Sequence, residues 1–252
     1  MIGNMRGLCG LMIALGVLAA GAARAEDTGT LKGVIYLQGK APQIKNIFSD
    51  IKTEPKCAEQ YEKPQVKAQE VLLAKAVEGK EDLRPMQSAM IFISTDLSGK
   101  TFPAATEKKT LNQQGCLYIP HVLTLQTDQT LVVKNSDPLL HNINAAPAKN
   151  PPFNYGQPQK DMENPVAFKK AEIFKVKCDV HKWMGAWIGV FPHPFHAVSN
   201  EKGEYEIKGL PAGDYEVTFW HEVYGEFKEK VTVKTGANAK DYTFKAEASA
   251  GG

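Results

Sequence analysis

Three side chains that bind soft metals lie close together in one short stretch, and this stretch restricts the possible fold and function most. They are Cys178, His181 and Met184, at the spacing C-x2-H-x2-M. Just upstream, the apolar residues Phe174 and Val176 alternate with lysines, which predicts a strand that carries the Cys178 thiol on its apolar face. A thiol at the end of a strand, followed by an imidazole and a thioether on a tight loop, predicts a compact site of soft ligands.

One further ligand would complete this site, and His141 is the best candidate. It follows an alternating strand predicted at Thr130–Lys134. Two His, one Cys and one weak axial Met form the ligand set of a blue-copper electron-transfer centre. Cu(I) favours thiolate and thioether ligands, whereas Cu(II) favours imidazole. The mixed set suits neither oxidation state fully, so ligands that the protein holds in place move little during electron exchange. The alternatives to a copper site are a buried structural Cys beside a surface His, or a zinc site.

The candidate ligands, and the amide beside the first of them, follow the order of the cupredoxin ligand pattern. They are His141, Asn142, Cys178, His181 and Met184. This resemblance covers residues 101–192, and the ligand loop is similar in length to that of amicyanin. It implies a Greek-key β-sandwich that holds one type 1 copper ion, with two imidazoles and a thiolate as strong ligands and the thioether as a weak axial ligand. Asn142, next to His141, is expected to tie the two ligand loops together through its amide, and a plain turn asparagine is the alternative.

The same resemblance implies where an electron leaves the protein. In cupredoxins the ligand His on the Cys-His-Met loop reaches the surface, so His181 is expected to be the exit. Trp183, two residues further on, is then expected to contact a docking partner, and a role in the buried core is the alternative. The expected partner is a redox protein, either a cytochrome or a periplasmic dehydrogenase.

The first 25 residues are typical of a secretory signal. Arg6 provides a positive charge, Leu8–Ala22 is apolar, and the small-x-small sequence Ala23-Arg24-Ala25 predicts cleavage after Ala25. Without Arg6 and Arg24, the 30 Lys and Arg residues become 28, which equals the 28 Asp and Glu residues. Neither a nucleic-acid partner nor a transmembrane segment is expected in the mature chain. We expect a periplasmic or secreted protein.

Three cysteines follow the signal, an odd number for an oxidising compartment. A disulfide between Cys57 and Cys116 would leave Cys178 free, as a copper thiolate must be. A disulfide between Cys178 and either of the others would leave no copper site, and the ligand loop favours the first pairing. A single inward cysteine also argues against a dinuclear copper centre, which needs two bridging thiolates.

The sequence after the ligand region predicts short strands and glycine-containing turns. Residues 193–246, with Leu210-Pro211-Ala212-Gly213-Asp214-Tyr215, resemble the second half of a carboxypeptidase regulatory-like β-sandwich. Ser199-Asn200 stands where that family has Thr-Asp. Within residues 26–100, Gly29–Pro42 and Ala89–Ser94 resemble the first half of the same sandwich.

The expected fold is therefore all-β. The cupredoxin sandwich of residues 101–192 is expected to be inserted into a smaller regulatory-like sandwich, formed by residues 26–100 and 193–246. Two consecutive domains are the alternative. A disordered tail is expected at residues 247–252.

The chain lacks the common hydrolase and phosphate-binding motifs, so an electron carrier without catalytic activity of its own is expected. The remaining histidines could form a second metal site, although structural roles are favoured for them. They are His121, His193, His196 and His221. The alternative function is a copper-storing module, or one that binds carbohydrate or protein, without redox turnover.

Overall fold

The computed structural model of this protein describes residues 27–246, and the fold is almost entirely β. This confirms the expected fold class. The predicted signal at residues 1–25 and the predicted disordered tail at residues 247–252 lie outside the described residues.

The described chain forms eighteen strands and two short helices. The strands are β1 (Thr28–Gln38), β2 (Leu83–Pro85), β3 (Met90–Ile93), β4 (Lys109–Gln114), β5 (Leu117–Ile119), β6 (Val122–Gln126), β7 (Leu131–Asn135), β8 (His141–Ala145), β9 (Phe153–Gln157), β10 (Glu163–Val166), β11 (Glu172–Lys177), β12 (Gly185–Phe191), β13 (His196–Val198), β14 (Glu204–Pro211), β15 (Gly213–His221), β16 (Gly225–Val233), β17 (Gly236–Ala239) and β18 (Tyr242–Lys245). The helices α1 (Phe48–Ile51) and α2 (Pro55–Ala58) lie between β1 and β2. Among residues 27–246, no helix has the length and apolar character needed to cross a bilayer.

Strands β4 to β12 form the first sandwich. One sheet has the order β10-β7-β4-β5, and the other has the order β6-β12-β11-β8-β9. Buried and more exposed residues alternate along β7, as expected for a strand with one face on a core. The core between the sheets includes Leu111, Val133, Ile143 and Ile188, which are all fully buried.

The remaining strands form the second sandwich. One sheet is organised around β1, which pairs with β14, β17, β18 and β2, and the other has the order β13-β3-β15-β16. Leu31, Ile35, Ile91 and Phe219 belong to its core. β1 is thus paired with strands that follow it by more than 160 residues, since Leu31 lies opposite Ile207. This pairing supports the insertion as a proposal for the domain organisation.

The segment with the two helices packs on the first sandwich, whereas residues 26–100 are expected to belong to the second. Ile47, Ile51 and Val66 are buried in the same core as the strands β4 to β12. The Ile47 N–H donates to the Val66 carbonyl at 2.8 Å, which closes the segment on itself. Its mixed polar sequence has no periodicity, so only these contacts reveal where it packs.

Candidate metal centre

The pairing of β8 with β11 brings the two candidate ligand segments together. Val176 lies opposite Ala145, and Lys177 lies opposite Asn144, in antiparallel register. Because the strands run in opposite directions, the chain after Lys177 continues towards the start of β8, where His141 lies. Cys178 therefore reaches His141 although the two are 37 positions apart in the sequence.

Three of the four predicted ligands converge in the interior. The Nδ1 atoms of His141 and His181 are 2.9 Å apart, and the Cys178 Sγ lies 3.8 Å from the Nδ1 of His181. The donor atoms of these three residues all lie within 4.8 Å of one another. Their exposed fractions are 0%, 1% and 3% for His141, Cys178 and His181, so the donors are shielded from bulk water.

Backbone hydrogen bonds close the ligand loop. The Met184 N–H donates to the His181 carbonyl at 2.9 Å, and the Cys178 N–H donates to the Met184 carbonyl at 3.2 Å. The His181 N–H donates to the Cys178 Sγ at 3.3 Å. Met184 is 2% exposed and packs in the core of the first sandwich. The loop thus holds Cys178, His181 and Met184 in a fixed arrangement.

Asn142 joins the two ligand segments through its side-chain amide. Its Oδ1 accepts from the Asp179 N–H at 2.7 Å and lies 3.3 Å from the Cys178 Sγ. Its Nδ2 donates to the Asp179 carboxylate at 3.1 Å. Such outer hydrogen bonds hold metal ligands in orientation.

Asp137 orients His141, a role that the sequence analysis missed. Its Oδ2 lies 2.8 Å from the His141 Nε2, and the side chain of Asp137 is 1% exposed. The carboxylate accepts this N–H, so the lone pair of the His141 Nδ1 faces Cys178 and His181. The sequence signal that could have predicted this role is an acidic residue four positions before a candidate ligand.

A tight turn between β4 and β5 holds Asp137 in place. Gly115 and Cys116 both have positive φ angles, 63° and 54°, as in a two-residue hairpin turn. Their N–H groups point at Asp137 and donate to its carboxylate at 2.9 and 2.8 Å.

These contacts determine the protonation of the site. Burial opposes the charged form of Asp137, but hydrogen bonds from His141, Cys116 and Gly115 hold its pKa below the ordinary value. Burial also opposes the charged form of His141, yet its bonds to Asp137 and Cys178 raise its pKa. Burial disfavours the Cys178 thiolate, but hydrogen bonds, led by those of His141 and His181, lower its pKa to about 5. The thiolate is the form that binds metal ions.

The structure contains the Cys57–Cys116 disulfide, with its Cα atoms 5.7 Å apart, and Cys178 is the free cysteine of the described residues. The Cys57 Sγ lies 3.9 Å from the His181 Nε2. His181 is only 3% exposed, so the expectation that it reaches the surface is wrong. The physical reason is the segment 44–68, which packs on the first sandwich and covers the side of His181 that was expected to face solvent.

Trp183 is partly buried. Its Nε1–H donates to the Cys116 carbonyl at 2.9 Å, and its ring centroid lies 5.1 Å from that of His181. The indole therefore has a structural contact, and its part in docking stays a prediction.

The other histidines do not form a metal cluster in the described part of the chain. Among residues 27–246, the two candidate groups are the site above and a set of Cys116, Asp137 and His141. The second set contains a disulfide sulfur, which is not a thiolate ligand.

Each remaining histidine has a local environment instead. His121 bonds Glu222, and the His193 Nε2 lies 3.0 Å from the Ile93 carbonyl. Burial lowers the pKa of His196 to about 3 and that of His221 to about 4, so both rings are neutral in the fold.

The donor set of the site fits copper better than zinc. Imidazole and thiolate bind both metals, but structural and catalytic zinc sites take their further ligands from Cys, His, Asp, Glu or water. Here the further candidate is a thioether, Met184, and the buried carboxylate of Asp137 is already bound to the far nitrogen of His141. A His2Cys set with a weak thioether is the arrangement of type 1 copper.

No protein-family model matches the chain, and no curated protein sequence matches it. Among solved structures, the copper-containing nitrite reductase NirK from Thermus scotoductus SA-01 is 18% identical over 39% of this chain and 27% of that chain, with a TM-score of 0.32. This chain thus spans about a quarter of the length of the reductase. A purple cupredoxin from Nitrosopumilus maritimus is 18% identical over 32% of this chain and 98% of that one, with a TM-score of 0.29. A mutant of amicyanin in its Cu(I) form is 14% identical over 40% of this chain and 97% of that one, with a TM-score of 0.31.

Proposed function

We propose that this protein is a copper-binding electron-transfer protein with one type 1 ion. The ligands are His141, Cys178 and His181, with Met184 as the weak axial ligand. The observation that carries the proposal is the convergence of two imidazole Nδ1 atoms and one thiol within 4.8 Å in the interior. When bound, the copper ion accepts and returns one electron.

The residues around the donors support this function because they keep the ligands in place. Asp137 fixes the ring of His141, and Asn142 ties the two ligand segments together. Ligands that are held from outside move little when the charge at the site changes, which favours fast electron exchange.

The proposed role is that of a carrier, not of an enzyme. The donors of His141, Cys178 and His181 are at most 3% exposed, and the disulfide segment covers His181. A catalytic metal site keeps a coordination position open to its substrate. The buried donors offer no such access.

We place the protein in the periplasm or outside the cell, with a cytochrome or a periplasmic dehydrogenase as redox partner. The predicted signal motivates this location. The Cys57–Cys116 disulfide supports it, because disulfides persist in oxidising compartments.

A titration with Cu(II) tests the function. The mature protein is expected to develop an intense visible band that a reductant bleaches reversibly, since thiolate-to-copper charge transfer causes such a band. Cys178→Ser is expected to lose the band and keep the fold. Val180→Ser is the matched control, because Val180 lies on the same loop and is 48% exposed, and it is expected to keep the band.

Other outcomes would overturn the proposal. Copper uptake without a bleachable band would indicate a storage module without redox turnover. An unchanged spectrum in Cys178→Ser would exclude Cys178 as the ligand. Tight binding of Zn(II) that Cu(II) does not displace would indicate a zinc site.

A further inference from the structure

The covered edge of His181 raises the question of where an electron enters and leaves. Cys57 lies against the His181 Nε2, and its disulfide to Cys116 holds it there. The Tyr61 hydroxyl donates to the Gly115 carbonyl and ties the same segment to the β4–β5 turn. A partner protein therefore cannot touch the imidazole of His181.

A cleft of about 950 Å³ lies beside the ligand loop. Trp183, Met184 and Gly185 line it from the loop, and further lining comes from segments 42–53 and 68–71. This is the size of pockets that hold ligands or inserted segments. A residue of the ligand set, Met184, is thus among the residues that line the cleft.

Trp183 connects the cleft with the covered imidazole. Its ring lies 5.1 Å from the ring of His181, centroid to centroid, and its bond to the Cys116 carbonyl fixes the indole. The rate of electron transfer falls steeply with the distance between donor and acceptor. A redox group in contact with Trp183 is separated from His181 by one aromatic ring.

Three of the four lysines that line the cleft lie on the strand and loop that carry the ligands. They are Lys175, Lys177 and Lys182, and all three are exposed, whereas the fourth lysine of the lining, Lys45, belongs to the segment opposite. Lys177 pairs with Asp179 at 3.4 Å, whereas neither Lys175 nor Lys182 has a carboxylate within 4.0 Å among the described residues.

Three carboxylates line the cleft, of which one is paired with a lysine, one is buried and one is exposed. Asp50 pairs with Lys45 at 2.8 Å. Glu222 is buried and accepts from the Trp187 Nε1–H at 2.8 Å, with His121 at its other oxygen. Glu70 is the exposed acidic residue of the lining. Among the exposed groups of the cleft, the two lysines without a carboxylate partner, Lys175 and Lys182, therefore outnumber the exposed carboxylate, Glu70.

We propose that electron exchange takes place in this cleft, through Trp183, with an acidic segment of a redox partner protein. The inference rests on the proposed function and names the docking site of that function. One electron passes between the partner and the metal centre, and no covalent bond or proton is exchanged. Opposite charges on the partner would steer it to Lys175 and Lys182.

The test uses the copper-loaded full chain and stopped-flow kinetics of its visible band. The variant Lys175→Glu/Lys182→Glu is expected to react about tenfold more slowly with the anionic probe hexacyanoferrate(II) at low ionic strength. It is expected to react faster with the cationic probe hexaammineruthenium(II). Both differences should vanish at high salt, because salt screens exposed charges.

Lys202→Glu/Lys208→Glu is the control, since both residues are exposed on the second sandwich and the change in net charge is identical. Rates unchanged from the parent protein are expected. Equal effects of the two double variants would mean that only the total charge matters, and would overturn the cleft as the docking site.

The role of Trp183 has its own readout. Trp183→Leu is expected to slow the reaction with both probes while the visible band persists, and Trp183→Phe is expected to restore part of the rate. An undiminished rate in Trp183→Leu with an intact band would refute the route through the indole.

An acidic and a basic cytochrome, used as protein probes, identify the kind of partner. The Lys175→Glu/Lys182→Glu variant is expected to slow only the acidic cytochrome. An effect on hexacyanoferrate(II) without one on the acidic cytochrome would indicate a site for small anions and overturn docking of a protein. Absence of the band in the parent protein would instead refute the proposed function itself.

Discussion

At the scale of single residues, the carboxylate of Asp137 orients one of the proposed ligands, His141. It accepts the His141 Nε2–H and is itself held by two backbone N–H groups of the β4–β5 turn. Both the tautomer and the orientation of His141 thus depend on one buried charge.

We expect Asp137→Asn to lower the copper affinity by about 10–100-fold, because loss of an outer carboxylate weakens the hold on the imidazole. A competition titration against a chelator of known affinity measures this. Asp128→Asn is the control, since Asp128 makes a surface pair with Lys169 that lies outside the site. Equal affinity in Asp137→Asn and in the parent would show that the carboxylate does not support the ligand.

The copper affinity should fall with decreasing pH in two steps. Protonation of His141, whose pKa is raised above 6.5, competes with the metal first. Protonation of the Cys178 thiolate, whose pKa is about 5, competes next. Affinity measured against pH should show both steps in the parent and lack the lower one in Cys178→Ser. A lower step that persists in this variant would assign it to another group.

The Cys178 thiolate also links pH to the stability of the metal-free protein. Its pKa is lowered from 9.0 to about 5 by folding, so the folded state binds fewer protons between these values. This contribution to stability is fully present above pH 9.0 and is lost as the pH falls through about 5.

At the scale of elements, the disulfide segment with α1 and α2 determines how the ligand loop meets solvent. Cys57 contacts His181, and the Cys116 carbonyl accepts from Trp183, so both ends of the disulfide touch the loop. The proposed shift of electron exchange into the cleft follows from this cover.

We expect Cys57→Ala/Cys116→Ala to lower the free energy of unfolding by about 3–5 kcal/mol, because the bond closes a long loop in the unfolded chain. The 59-residue separation of the two cysteines is the basis of this value. Urea unfolding of the metal-free protein measures it. The parent protein after treatment with a dithiol is the matched comparison and should lose a similar amount. Unchanged stability in both would mean that the segment packs without needing the bond.

At the scale of the whole molecule, a buried polar cluster joins the two sandwiches next to the ligand loop. The His121 Nδ1 lies 2.9 Å from the Gly185 carbonyl, directly after Met184, and its Nε2 bonds Glu222. Glu222 follows β15 of the second sandwich and also accepts from the Trp187 Nε1–H. The second sandwich therefore supports the end of the ligand loop through one carboxylate.

We expect Glu222→Ala to lower the free energy of unfolding by about 3 kcal/mol, because it leaves buried His121 and partly buried Trp187 without their acceptor. Glu226→Ala, which removes an exposed carboxylate of the same sandwich, should change it little. Urea unfolding compares the two. Burial raises the pKa of Glu222, but the hydrogen bonds from His121 and Trp187 and the charge interactions with the neighbouring imidazoles together outweigh burial and lower it. Its contribution is thus present above about pH 4.5 and lost at lower pH in the parent, whereas Glu222→Ala should lack this loss.

The sequence by itself determined the types of residue that form the candidate site and the all-β class of the fold. A soft-metal site needs thiol, imidazole and thioether groups, and the tight loop from Cys178 to Met184 supplies three of them at a short spacing. Strands with one buried face need alternating apolar residues, and β7 and β11 show this pattern. Both signals are local, so they can be recognised without knowing any distant contact.

Only the tertiary structure decided what surrounds those ligands. Cys57 covers His181, which lies 124 positions later in the sequence. Glu222 supports His121, which lies 101 positions earlier. The segment 44–68 has no periodicity that would indicate which sandwich it packs on. Such contacts arise because folding closes long loops around a shared core, and a single sequence carries no local pattern that specifies which distant residues will meet.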